Sequence, residues 1–420
     1  MTDLKTLLQG KRDCPCGREH TCPIEKVVIG EDAYGGLGEF ASTYRKILLV
    51  ADSNTYAVCG SPVAEALGER LGDTLIFLRQ GILVPDERAI RELSERVTAE
   101  TDLLVGVGSG VINDLCKHVS FLHGIPYAIV ATAPSMDGYA SKGAALILDG
   151  MKVTLNAHVP KGIFACGEVL RQAPMEMIRA GYGDIIGKYS CLCDWKLSHL
   201  VNREYLCSYV MDATYETVER TVLLADGIVK RDNVAVCALM EALVTVGILM
   251  AYVGNSRPAS GSEHHLSHFF EIVGISKGEP YLPHGVDVCC SAVETAKIRE
   301  TLAAMEHPGV DSLCQKSIPT EQLRRVYGGL AEEVLALQKR VGFYDVDRLQ
   351  TYRARWQEIR AILADSPSAE EMLRLTEAVG LSYAAFRTLY GEEKLGDALL
   401  YAKDLKDRYT VLWMYYDLLG

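Results

Sequence analysis

Positive charge is what this 420-residue chain has least of: 43 Lys and Arg stand against 55 Asp and Glu, a formal net charge of −12. Affinity for nucleic acid comes largely from neutralising phosphates with Lys and Arg, so this balance argues against a nucleic-acid partner. Any phosphate recognised must be small and met locally. The chain also lacks a low-complexity linker, an internal repeat and, at "MTDLKTLLQGKRDC", a basic-then-apolar leader, so a cytoplasmic location is expected. One run, Val234 to Gly254, is apolar over about the span of a bilayer, but Glu241 interrupts it and basic flanks are missing. It reads as a buried core helix, and no membrane span is expected. Thirteen cysteines, an odd number scattered through a long chain, read mostly as reduced thiols. With 49% hydrophobic and 23% charged residues, the remainder is ordinary globular composition, enough for two domains.

The first part alternates short apolar runs, "KILLVAD", "TLIFL", "TDLLVGVGSG" and "PYAIVAT", with segments of 3.6-residue periodicity, "SPVAEALGERLG" and "DERAIRELSERVTA". That alternation predicts a Rossmann-like parallel α/β domain over residues 1–170. "AALILDG" and "KVTLNAH" predict a β-hairpin turning at Asp149-Gly150. Beyond residue 170 the patterns are helical, which predicts an all-α domain over 171–420.

Ligands of parallel sheets sit beyond the carboxyl ends of the strands. "LLVGVGSGVINDLCKH" runs from a buried strand through Gly106, Gly108 and Gly110 into a helix, the order expected of a pyrophosphate site, although a glycine turn also serves tight packing. Asp52, closing "KILLVAD", is either a ribose-binding carboxylate or a helix N-cap. The next strand ends in "ATAPSMDGYASKG", where Thr132, Ser135, Asp137, Tyr139 and Ser141 crowd polar groups around Pro134 and Gly138.

"GYGDIIGKYS" predicts one helix with Asp184 and Lys188 four residues apart, hence on one face. In "SGSEHHLSH", His264 and His268 share a face and His265 is turned about 100° from His264. His284 follows a proline in "YLPHGVD". One Asp and two His supply three N/O ligands and leave a coordination position open, as catalytic zinc sites do. "CPCGREHTC", with Cys14, Cys16, His20 and Cys22, is either a compact metal knuckle or a thiol-rich loop.

Five of these segments, "GVGSGVINDLCKH", "TAPSMDGYAS", "GYGDIIGKYS", "SRPASGSEHHLSH" and "PHGVDV", occur in the order found in the sn-glycerol-1-phosphate dehydrogenase family. The chain resembles that family's bacterial, AraM-like branch, within the iron-containing alcohol dehydrogenase and dehydroquinate synthase-like superfamily. The resemblance implies an NAD- or NADP-binding α/β domain, a helical metal domain and a homodimer. It implies hydride transfer between NAD(P) and a small phosphorylated polyol or ketone, sn-glycerol 1-phosphate and dihydroxyacetone phosphate. Carried over by position, Asp184, His264 and His284 bind one divalent metal, zinc, nickel or iron. Asp137, Asp184 and His268 meet substrate and act as the catalytic group, with Lys188 and Arg257 as further substrate contacts; the phosphate that this substrate implies makes Lys188, Arg257, Ser260 and Ser262 its candidate donors. Gly108, Gly110, Val111, Ile112, Asn113 and Asp114 meet the cofactor pyrophosphate; Thr132, Ala133, Pro134, Ser135 and Ser141 meet other parts of the cofactor, and Asp52 its adenosine ribose. Four-ligand iron alcohol dehydrogenases carry a further His four positions after the Asp. Lys188 stands there in this chain, which fits a three-ligand site. The alternatives are a dehydroquinate synthase-like lyase, whose Asp184 position is typically Glu, and a glycerol dehydrogenase.

Overall fold

A computed structural model describes residues 3–78, 81, 83–148, 151–309 and 317–420. Six strands form one parallel sheet: β1 (Lys26–Ile29), β2 (Ile47–Asp52), β3 (Leu71–Phe77), β4 (Leu103–Gly108), β5 (Tyr127–Ala131) and β8 (Gly162–Ala165). Their spatial order is β1-β8-β5-β4-β2-β3. β4 and β5 bury every residue and β2 all but Asp52, because helices cover both faces; continuous apolar runs rather than alternation are the result. Leu37 and Phe40 of α2 (Ala33–Ala41) and Val63 of α3 (Ser53–Leu67) pack with Leu49, Val105 and Phe164 in one core. Burying a side chain of that size contributes about 1.5–3 kcal/mol. α4 (Glu87–Ser94) and α5 (Gly110–His123) complete the crossovers.

From β2 the chain steps outward to β3, then returns to place β4 on the other side of β2. The winding direction therefore reverses between β2 and β4, and the crevice outside their carboxyl ends is where such sheets take ligands. Asp52 and Gly108 end those two strands.

The four apolar runs of the sequence become β2, β3, β4 and β5. β1 and β8, four residues each, carry too short a pattern to be recognised, although β8 lies inside the sheet between β1 and β5. β6 (Gly143–Leu148) and β7 (Met151–Asn156) form the expected antiparallel hairpin; its Asp149-Gly150 turn lies outside the described residues. After Ala165 the described residues contain no strand. They form α6 (Gly167–Gln172), α7 (Met175–Ile186), α8 (Lys188–Asn202), α9 (Ser208–Val222), α10 (Ala225–Val229), α11 (Asn233–Val253), α12 (Ser262–Lys277), α13 (His284–Ala304) and six further α-helices between Thr320 and Leu419.

The chain divides into two compact units, Met1–Ile185 with Glu219–Ser256, and Ile186–Val218 with Arg257–Gly420. It changes unit three times, where the sequence suggests one boundary near 170. Helical periodicity marks a helix without saying which core receives it, and α11 packs with the sheet-bearing unit. There α11 lies against α6 and the short turn Asp137–Ala140; a Cβ at Gly247 would stand 2.7 Å from that of Ala140. Among the described residues α11 is the one helix long and apolar enough to cross a membrane, and 72% of its most apolar window is buried within the protein, as in a core helix.

Candidate active site

In the sheet-bearing unit, the nucleotide candidates gather at the ends of three adjacent strands, β2, β4 and β5. Asp52 caps α3: its Oδ1 accepts from Asn54 N–H at 2.8 Å and Thr55 N–H at 2.9 Å, and Thr55 returns the bond in a capping box. At Gly108 a Cβ would stand 2.6 Å from Ile112 Cβ, so this glycine lets α5 close onto the sheet, and Ile112 is spent on that packing. Asn113 is buried, its amide near Asp114 and Gly138 O. Asp114 accepts from Ala145 N–H at 3.2 Å and from Lys117 Nζ at 3.3 Å. The side chains of Ile112, Asn113 and Asp114 thus build the turn, and a pyrophosphate would meet backbone N–H groups at half-exposed Gly110 and Val111 instead. After β5, Thr132 N–H donates to Gly108 O, tying the two strand ends together, and Ala133 O accepts from Tyr139 Oη at 2.7 Å. Pro134 is buried and Ser135 half-buried.

The sequence reading passes over Lys117. Fully buried, its ammonium reaches Gly138 O at 2.9 Å, Gly143 O at 2.8 Å and Ser141 Oγ at 3.3 Å, so one charge gathers the whole loop that carries Asp137 and Ser141. Burial lowers its pKa, opposed by Asp114 and Asp137. A lysine amid the apolar residues of "LCKHV" was the available signal. From the same loop Asp137 N–H donates to Asp184 Oδ2 at 2.9 Å, fixing one carboxylate oxygen of a fully buried side chain. α7 brings Asp184 there only because residue 181 is glycine: a Cβ would overlap the carbonyl oxygen of Pro134.

In the other unit, His264 and His268 project from α12 and His284 opens α13 directly after Pro283. Their ring centroids are 5.1 Å (His264–His284), 5.4 Å (His268–His284) and 6.0 Å (His264–His268) apart. Glu263 Oε1 accepts from Gly261 N–H at 2.9 Å and pairs with His264 Nδ1 at 2.7 Å. An Nδ1 proton held by a carboxylate leaves Nε2 with its lone pair for a metal. Ser267 repeats the device: its hydroxyl donates to His284 O at 3.4 Å and meets His284 Nδ1 at 3.3 Å. Neither Glu263 nor Ser267 was singled out from the sequence. His265 is fully buried, and burial, then Lys406 and Arg408, push its pKa well below the imidazole value, so it is neutral and apart from the trio.

Two expectations need correction. Asp184 and Lys188 do not share one helix: α7 ends at Ile186 and α8 begins at Lys188, which is fully buried. Arg257 is not presented to a ligand. It is 1% exposed, with Nη2 on Glu204 Oε2 (2.8 Å), Tyr409 O (2.7 Å) and Asp194 O (3.3 Å), so it anchors the chain ahead of α12. Ser260 accepts instead from Arg408, at its carbonyl oxygen (2.8 Å), and Ser262 N–H donates to Asp194 Oδ2 (2.6 Å).

Comparison with known proteins agrees with this architecture. Residues 28–174 match the family model described as iron-containing alcohol dehydrogenase. The chain is 31% identical over 417 residues to a glycerol-1-phosphate dehydrogenase, NAD(P)+ type, of Halalkalibacterium halodurans, covering 97% of both chains. A protein of the same name from Geobacillus stearothermophilus is 31% identical over 424 residues, covering 99% of this chain and 98% of that one. An iron-containing alcohol dehydrogenase from Thermococcus thioreducens has the same fold, with a TM-score of 0.62 at 14% identity over 93% of this chain and 97% of that one. Near-full-length identity at this level places the chain in the glycerol-1-phosphate dehydrogenase family of the iron-containing alcohol dehydrogenases.

Proposed function

We propose that this protein is an NAD(P)- and metal-dependent sn-glycerol-1-phosphate dehydrogenase, interconverting dihydroxyacetone phosphate and sn-glycerol 1-phosphate by hydride transfer. The similarity to proteins of that name along the whole chain carries the reading. In keeping with the family resemblance, Asp184, His264 and His284 would hold one divalent ion, zinc, nickel or iron. Their chemistry fits as a donor set: a carboxylate and two imidazoles, each imidazole with Nδ1 engaged, are three N/O ligands that leave a coordination position open. When bound, the ion supplies Lewis-acid polarisation at the C2 oxygen of the substrate.

The chain's own groups do the rest. Asp137 N–H keeps Asp184 in one orientation, and the Asp137 and Asp184 carboxylates orient the substrate hydroxyls. His268, partly exposed, passes the C2 hydroxyl proton to and from water, a task suited to an imidazole near neutral pH. Lys188 is the candidate for the substrate phosphate. The cofactor, NAD or NADP, would be held at the β2/β4 switch point, its pyrophosphate by the N–H groups at the α5 N-terminus and its adenosine ribose by the Asp52 carboxylate. That carboxylate opposes a 2′-phosphate, so NAD is favoured. A homodimer in the cytoplasm completes the reading. The test is NAD(P)H formation with sn-glycerol 1-phosphate against its 3-phosphate enantiomer, under both cofactors: turnover confined to the 1-phosphate supports the assignment, and equal turnover of the two contradicts it.

A further inference from the structure

The segment Cys14-Pro15-Cys16-Gly17-Arg18-Glu19-His20 takes no part in the proposed reaction. Backbone pairing closes it: Lys11 N–H donates to His20 O at 2.8 Å, His20 N–H to Lys11 O at 2.9 Å, and Gly17 N–H to Cys14 O at 3.0 Å turns the tip. Within it, Cys14, Cys16 and His20 each bring a ligand atom within 4.8 Å of the others. Cys16 Sγ stands 3.3 Å from His20 Nε2; a thiolate and an imidazole at zinc bond lengths on a tetrahedron stand about 3.5 Å apart. His20 is 1% exposed, stacks on Tyr252 with centroids 5.2 Å apart, and sets Nδ1 at 3.0 Å from the Tyr252 carbonyl oxygen. The proton therefore sits on Nδ1 and the Nε2 lone pair points to the thiols, the outer arrangement of metal-bound imidazoles. A merely thiol-rich loop needs neither the buried imidazole nor its fixed tautomer.

We propose that Cys14, Cys16 and His20 form a site for one zinc-class divalent ion, distinct from the reaction centre. Cys22, a member in the sequence reading, is outside it: its sulfur takes the Ile24 N–H. Two thiolates and a neutral imidazole supply three ligands of a thiol-rich zinc set, and binding releases the two thiol protons to solvent. The ion holds the N-terminal segment on α11, where Tyr252 Oη also donates to Leu7 O.

The test uses the full chain carrying His264→Ala, so that loss of the proposed active-site metal is already accounted for. Loaded with cobalt, this variant should keep one equivalent and show near-ultraviolet thiolate-to-cobalt charge transfer. Adding Cys16→Ala or Cys14→Ala should remove both signals, and adding Cys22→Ala should leave them. Absence of the charge-transfer band in His264→Ala, or its full retention after Cys16→Ala, overturns the proposal. Should the added cysteine variants fail to fold, alkylation of the His264→Ala protein decides: Cys14 and Cys16 should resist modification until a chelator is added, and reactivity that ignores the chelator overturns the site.

Discussion

The backbone N–H of Asp137 donates to Oδ2 of Asp184 over 2.9 Å, joining the loop after β5 to α7. The bond depends on Gly181, one turn before Asp184, where any side chain would strike the Pro134 carbonyl. Gly181→Ala should therefore cost about 1–3 kcal/mol through overpacking and lower metal occupancy by displacing α7. Urea unfolding and metal analysis check this together; wild-type values in both would show that the close approach is not required.

Glu263 acts through His264. Glu263→Ala should weaken metal affinity about 10–100-fold by freeing the imidazole tautomer, while Glu263→Gln loses less. His265→Ala, from the same segment, should keep the metal. Competition with a chelator measures each, and an unchanged affinity in Glu263→Ala would remove Glu263 from the site.

Lys117 is expected to govern the cofactor loop. Lys117→Met strands the carbonyls of Gly138 and Gly143 and leaves Asp114 without its cation, a loss of about 3–5 kcal/mol for breaking a buried pair. A raised KM for NAD(P) should accompany it. Stability within error of wild type would mean that water replaces the ammonium.

Asp194 sets a pH dependence. Burial first, then the charge of Glu263, raises its pKa to about 6, although it accepts from Ser262 and Val411 N–H groups. An acid with a raised folded pKa stabilises fully below its unfolded value, near 4, and that contribution is lost as pH rises through about 6. Unfolding free energies across this window should decline with pH from this source in the wild type and not in Asp194→Asn. Parallel profiles would contradict the assignment.

The sheet was legible because β2, β4 and β5 are buried on both faces and leave unbroken apolar runs; β1 and β8 are too short to do so. Residue types and spacing offered Asp184, His264, His268 and His284 only as candidates, and the family resemblance supplied the roles proposed for them. What spacing cannot show is direction and burial. Arg257 looked like a phosphate ligand and is enclosed by Glu204 and Tyr409, whereas Lys117, Glu263 and Ser267 work through bonds that exist only once the loops and helices are packed. Asp52 kept one of its two sequence readings in plain view, since the N-cap is formed and the ribose contact is a proposal.

The most direct measurement follows absorbance of the reduced cofactor with sn-glycerol 1-phosphate, its 3-phosphate enantiomer and glycerol, before and after chelation. The expected result is one NAD(P)H per 1-phosphate oxidised, little with the other two substrates, loss on chelation and recovery with added metal. Full turnover by the metal-free protein, equal rates with both enantiomers, or phosphate elimination without net NAD(P)H would contradict the account.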